Sequence, residues 1–103
     1  MSTENYKVKI YPEAKRDLQE LIDYLNGLSP EAALQYYDEI TEKISSLSQF
    51  PERCPRPRNL MLAAKGYRFL VVRQYLVFFV IREKEVQIRR ILFSRREYES
   101  ILK

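Results

Sequence analysis

Arginine is the side chain through which this protein could most readily do chemistry. Every arginine except Arg16 lies after Glu52. All of these but Arg82 fall in groups: Arg53, Arg56 and Arg58 in a proline-rich stretch, Arg68 and Arg73 around Phe69 to Val72, Arg89-Arg90, and Arg95-Arg96 shortly before Tyr98. A guanidinium grips a phosphate or carboxylate through a rigid fork of N–H donors, and a tyrosine of shifted pKa can pass a proton. RNA cleavage asks for little more. The 2′-hydroxyl is the nucleophile, so the protein need only hold the phosphate in line and stabilise the developing charge.

Other chemistries are excluded by what is missing. There is no histidine, which removes His-based triads and HExxH metal sites. A single cysteine, Cys54, builds neither a zinc cluster nor an internal disulfide. Gly27 and Gly66 are the only glycines, too few for a phosphate-cradling loop. No metal and no cofactor are expected.

The elements that would carry these arginines can be read from periodicity. Tyr6, Val8 and Ile10 alternate with Lys7 and Lys9, the pattern of a half-buried strand. Pro12 suits a first helical turn, and Ala14, Leu18, Leu21, Ile22 and Leu25 follow at helical spacing, with Asn26-Gly27 expected to end the helix. Ser29-Pro30 restarts a helix whose apolar stripe is Ala33, Tyr37, Ile40, Ile44 and Leu47, ended by Phe50-Pro51. Pro51 to Lys65 reads as a loop too basic to be buried. Tyr67 to Arg73, Tyr75 to Arg82 and Val86 to Phe93 then form a β-meander with a tight turn at Glu83-Lys84. Alternation blurs at Arg90-Ile91-Leu92, which suggests a bulge. Without one, Arg89 and Arg90 would point to opposite faces. Ser94 is placed to cap a last helix, Arg95 to Leu102.

The resulting order is β-α-α-β-β-β-α, an α+β fold. Residues 1–103 are expected to form a single domain in which an αα-hairpin covers one sheet face and leaves the other free. Charge is split unevenly: residues 1–52 hold five Lys/Arg against ten Asp/Glu, and residues 53–103 hold thirteen against four. A strongly basic half in a chain of net charge +4 suggests an anionic partner. The later arginines are expected to gather in one exposed concavity on the free face. Met1 to Lys9 lacks an apolar signal region, and the longest apolar run, Tyr75 to Ile81, is far short of a membrane span. The expectation is a cytoplasmic protein without membrane contact.

The spacing of Tyr67-Arg68, Val72-Arg73-Gln74-Tyr75 through Ile81, and Val86 through Phe93-Ser94-Arg95-Arg96 resembles the second half of RelE/ParE toxins. Ala14 to Leu18, Tyr24-Leu25 and Ile44 to Phe50-Pro51 resemble the helices of the first half. The likeness spans nearly the whole chain. It implies the toxin of a type II toxin–antitoxin pair, a family that includes plasmid-stabilization proteins, held silent in a hetero-oligomer with its antitoxin. Two activities are implied: ribosome-dependent mRNA cleavage, as in RelE-like members, or non-enzymatic poisoning of DNA gyrase, as in ParE-like members. A non-toxic RNA-binding or interaction module of the same fold is the alternative. By the resemblance, Arg68, Arg95 or Arg96, and Tyr98 fall where the nucleases have their functional set. Arg53, Arg56, Arg58, Arg73 and Arg90 are candidates for contact with nucleic acid or another target. The chain departs from the family by having Leu76 where arginine is frequent and Phe93 where histidine is frequent; the departures count against the usual nuclease set and fit a ParE-like member or a member with a different catalytic set equally well.

Overall fold

The computed structural model describes residues 5–96 and 98–102. Strand β1 (Lys7–Ile10) leads into α1 (Pro12–Leu28) and α2 (Pro30–Ser45). Two single 3₁₀ turns (Ser46–Ser48 and Pro51–Arg53) and a short helix α3 (Leu60–Ala64) follow. The meander β2 (Tyr67–Val72), β3 (Tyr75–Arg82) and β4 (Glu85–Phe93) ends in α4 (Tyr98–Ile101). The four strands form one sheet in the order β1-β4-β3-β2, with β1 parallel to β4 and the other pairs antiparallel.

Helix starts match their sequence signals. The Ser29 hydroxyl accepts the Ala32 N–H at 3.2 Å and Pro30 opens α2. Helix α1, by contrast, does not stop at Asn26-Gly27. It continues through Gly27 to Leu28, and Ser29 in an extended conformation ends it. Neither Asn26 nor Gly27 takes the left-handed conformation that the expectation required. On α2 the aromatic that packs inward is Tyr36, edge-on to Tyr75, while Tyr37 is exposed.

The expected loop after Pro51 contains α3, capped by Asn59, whose side chain accepts the Leu62 N–H at 3.1 Å. Pro51, Cys54 and Pro57 are buried while the arginines between them stay exposed. The Pro55 carbonyl accepts the Phe69 N–H at 3.1 Å, so this segment covers part of the outer edge of β2, an edge that would otherwise be free to pair. The last helix is also shorter than expected. Ser94 does not cap it: its N–H donates to the Gln74 carbonyl at 2.8 Å, and α4 begins at Tyr98.

Both faces of the sheet are covered. The helical hairpin packs on Val72, Val77, Phe79, Val86, Ile88 and Ile91 through Ala14, Leu21, Ile40 and Ile44. The opposite face carries its own apolar cluster of Tyr67, Phe78, Val80 and Leu92, joined by Leu62 of α3 and by Leu102. A free second face was the expectation, and β3 overturns it. Leu76 to Val80 is an unbroken apolar run, the signature of a strand buried on both sides.

The bulge is real but falls one residue earlier than expected. Phe78 opposes Arg90 and Phe79 opposes Ile88, leaving Arg89 as the extra residue. Ile88 and Ile91, three apart, therefore both pack under the hairpin, which regular alternation forbids. Among the described residues no helix is long and apolar enough to cross a membrane.

Candidate functional site

The two arginines at the bulge have separate roles. Arg90 donates from Nε and Nη2 to the Asp17 carboxylate of α1, at 2.7 and 2.9 Å. The same carboxylate accepts the Ile91 N–H at 2.9 Å. Pairing of β1 stops at Ile10 opposite Ile88, so Asp17 supplies an acceptor where the neighbouring strand has ended. The Asp17 hydrogen bond holds the Arg90 guanidinium still more firmly protonated than usual, against the opposing effect of its burial. Arg90 thus fixes the hairpin to the sheet.

Most of the other candidate arginines are likewise engaged within the chain. Arg68 donates to the carbonyls of Glu52 and Cys54, at 3.1 and 2.7 Å, clamping the 3₁₀ turn onto β2. Arg53 donates to the Gln49 and Phe50 carbonyls and the Ser46 hydroxyl, closing the end of the α2 region. Phe50 makes that reversal in the left-handed region, at φ 51°. Arg73 pairs with Glu39 at 2.9 Å and stacks over Tyr36. That bond, with help from Tyr36, also raises its pKa. Arg56 and Arg58 are exposed and make no hydrogen bond or ion pair among the described residues.

The expected catalytic set comes together only in part: Arg95 and Arg96 lie in the turn that leads into Tyr98, whose N–H donates to the Arg96 carbonyl at 2.9 Å, and Arg68 stands apart from them. Arg68 sits opposite Phe79, whose ring lies in the core under the hairpin. Tyr98 packs its ring 4.9 Å from Phe78, in the cluster on the other face. The sheet stands between them. Arg95 and Arg96 are exposed in the turn after β4, and Arg96 borders a groove along α1 with Glu20 and Tyr24. The single concavity expected for the late arginines is replaced by several sites spread around the sheet. Cys54 is buried, and desolvation pushes its thiol pKa up, the reverse of activation. Among the described residues no three His, Cys, Asp or Glu side chains meet to hold a metal ion.

One basic hollow was missed by sequence reasoning. It lies on the face opposite the hairpin, is lined by Lys65, Tyr67, Val80, Arg82, Arg89 and Leu102, and has a volume of about 330 Å³. Arg82 Nη2 donates to the Lys65 carbonyl at 3.1 Å. Gly66, at φ +90°, sits beneath it, and a β-carbon there would come within 3.1 Å of Arg82 Nη1. The signal available in sequence was the glycine between Lys65 and Tyr67. Only the hairpin register brings Arg82 back over it.

A family model described as the ParE toxin of the type II toxin–antitoxin system parDE matches residues 8–98. No curated protein matches the sequence. Among solved structures, the chromosomal ParDE toxin–antitoxin system of P. aeruginosa is 27% identical and aligns over 88% of this chain and 98% of that one, with a TM-score of 0.75. A chain of the RelBE2 toxin–antitoxin complex of Mycobacterium tuberculosis, 22% identical, aligns over 86% and 98% with a TM-score of 0.56 and shares the fold. The α+β architecture derived above and the family match over most of the sequence agree, and the chain belongs to the ParE toxin family of type II toxin–antitoxin systems.

Proposed function

We propose that this toxin arrests growth in the cytoplasm by binding and poisoning DNA gyrase, without cutting RNA, and that a co-expressed antitoxin silences it. The observation that carries this reading is the separation of Arg68 from Tyr98 by the sheet. The resemblance puts a basic functional residue at Arg68 beside the phosphate-stabilising Arg95 or Arg96 and the proton-transfer Tyr98, and such a set must converge on one phosphodiester. Arg68 and Tyr98 face opposite layers, and Arg68 already donates to two backbone carbonyls. The absence of histidine gives no substitute base. The similarity to a ParDE system supports an antitoxin as partner.

The test is induction of the toxin in growing cells, with gyrase supercoiling and DNA breaks measured beside transcript integrity. Loss of supercoiling with intact transcripts is the expected result. Ribosome-dependent mRNA cleavage with normal gyrase activity at saturating toxin would overturn the proposal.

A further inference from the structure

The hollow opposite the hairpin gathers three cations at one place. Lys65, Arg82 and Arg89 converge on it, and among the described residues none of the three has a carboxylate partner. Arg89 is the half-buried member. Its guanidinium stacks 4.7 Å from the centre of the Tyr11 ring, and Nη2 donates to Gln87 Oε1 at 2.8 Å. Its Nε is buried and meets no acceptor among the described residues. A held guanidinium with unspent donors has already lost side-chain freedom, so a ligand that reaches it loses less entropy on binding.

The walls decide what kind of anion fits. Tyr67, Val80 and Leu102 put aromatic and aliphatic surface beside the cations, which suits a carboxylate next to an apolar side chain. A phosphodiester strand needs a continuous basic track. Here the neighbouring hollow beyond Arg82 is mixed in sign, with Glu83 and Glu85 interleaved with Lys7 and Lys84. We infer that this hollow receives an acidic–apolar segment of the antitoxin, with Arg89 and Lys65 gripping its carboxylates and Tyr67, Val80 and Leu102 taking the adjoining apolar side chain. The inference rests on the toxin–antitoxin reading above and names a docking point for that partner. Charge complementarity of this kind speeds encounter, and desolvated pairs slow release.

The test uses the full-length toxin and the antitoxin encoded by the reading frame beside its gene, with affinity and kinetics followed at low and high salt. Arg82→Gln is avoided, because it also removes the bond to the Lys65 carbonyl. Arg89→Gln and Lys65→Gln are each expected to weaken the complex about tenfold, mainly through faster dissociation. The thermal midpoint of the free Lys65→Gln toxin stays unchanged, since that side chain makes no bond among the described residues. Growth arrest by the free variants should persist. If both variants bind the antitoxin as tightly as the parent does, the inference fails while the toxin–antitoxin reading stands. If the parent toxin binds no product of the flanking frame, both fail. Loss of affinity for a short single-stranded RNA, with antitoxin binding untouched, would assign the hollow to nucleic acid and overturn the inference.

Discussion

The two faces of the sheet use their positive charge differently. On the hairpin side, Arg90 is bound to Asp17, Arg73 to Glu39 and Arg68 to two carbonyls of the turn above it. On the other side, Lys65, Arg82 and Arg89 surround a hollow and have no carboxylate partner among the described residues. Arg82 is tied to the Ile81 and Lys65 carbonyls, as Arg68 is to its turn, and the difference lies in the absence of a carboxylate beside Arg89 and Lys65 among the described residues. A count of arginines, or a net charge, therefore says little about where a partner binds. What matters is which guanidinium groups remain unpaired once the chain has satisfied its own carbonyls and carboxylates.

The largest effect is expected at Asp17, which holds Arg90 on the hairpin side. Asp17→Ala leaves the Arg90 guanidinium and the Ile91 N–H without their shared acceptor. The side chains of Arg90 and Asp17 are only 25% and 10% exposed, so the loss should be about 2–3 kcal/mol in denaturant unfolding. A stability equal to the parent would mean that the hairpin needs no ionic fastener. Arg68→Ala comes next. It releases the turn at Glu52–Cys54 and should cost about 1–2 kcal/mol, with toxicity in cells falling only as far as the folded fraction falls. If toxicity vanished while the unfolding midpoint held, Arg68 would be a functional residue and the division between faces would be wrong.

The smallest expected effect concerns Tyr6 and Glu52. The Tyr6 hydroxyl donates to Glu52 Oε2 at 2.5 Å and is the main reason this carboxyl titrates below its ordinary value of 4.5. A carboxyl with a lower pKa in the folded chain than in the unfolded one adds stability that is fully present above the unfolded value. That stability is lost as pH falls through the folded value. Tyr6→Phe should therefore be less stable than the parent at neutral pH, by less than about 0.5 kcal/mol at this exposed site. The gap should close as pH drops below 4.5. Parallel pH–stability curves for the two proteins would show that the bond does not set this titration.

Much of the fold was legible because it is local. The alternation of Tyr6, Val8 and Ile10, the Ser29-Pro30 start and the Glu83-Lys84 turn each depend on neighbours in sequence, and all are found, while β2 ends at Val72, one residue before the expected Arg73. Asn26-Gly27 misled because packing of α1 against the sheet outweighs the weak stop signal of one glycine. Helix α3 was hidden by the arginines and prolines before it, and its cap, Asn59, was a readable but unused sign. The candidate site was far less legible. Arg90 and Asp17 are 73 positions apart, and no periodicity joins them.

Apart from α3, the element types follow from residue identity and short-range spacing, and so do the family resemblance and the exclusion of histidine chemistry. Tertiary structure decided which arginines are engaged and which remain available. The parity of β4 is reset by one extra residue at Arg89, and that shift sends Arg90 to Asp17 while Arg89 lines the opposite hollow. Where that residue is inserted depends on pairing with β3 across the sheet, an interaction that no single stretch of the chain contains.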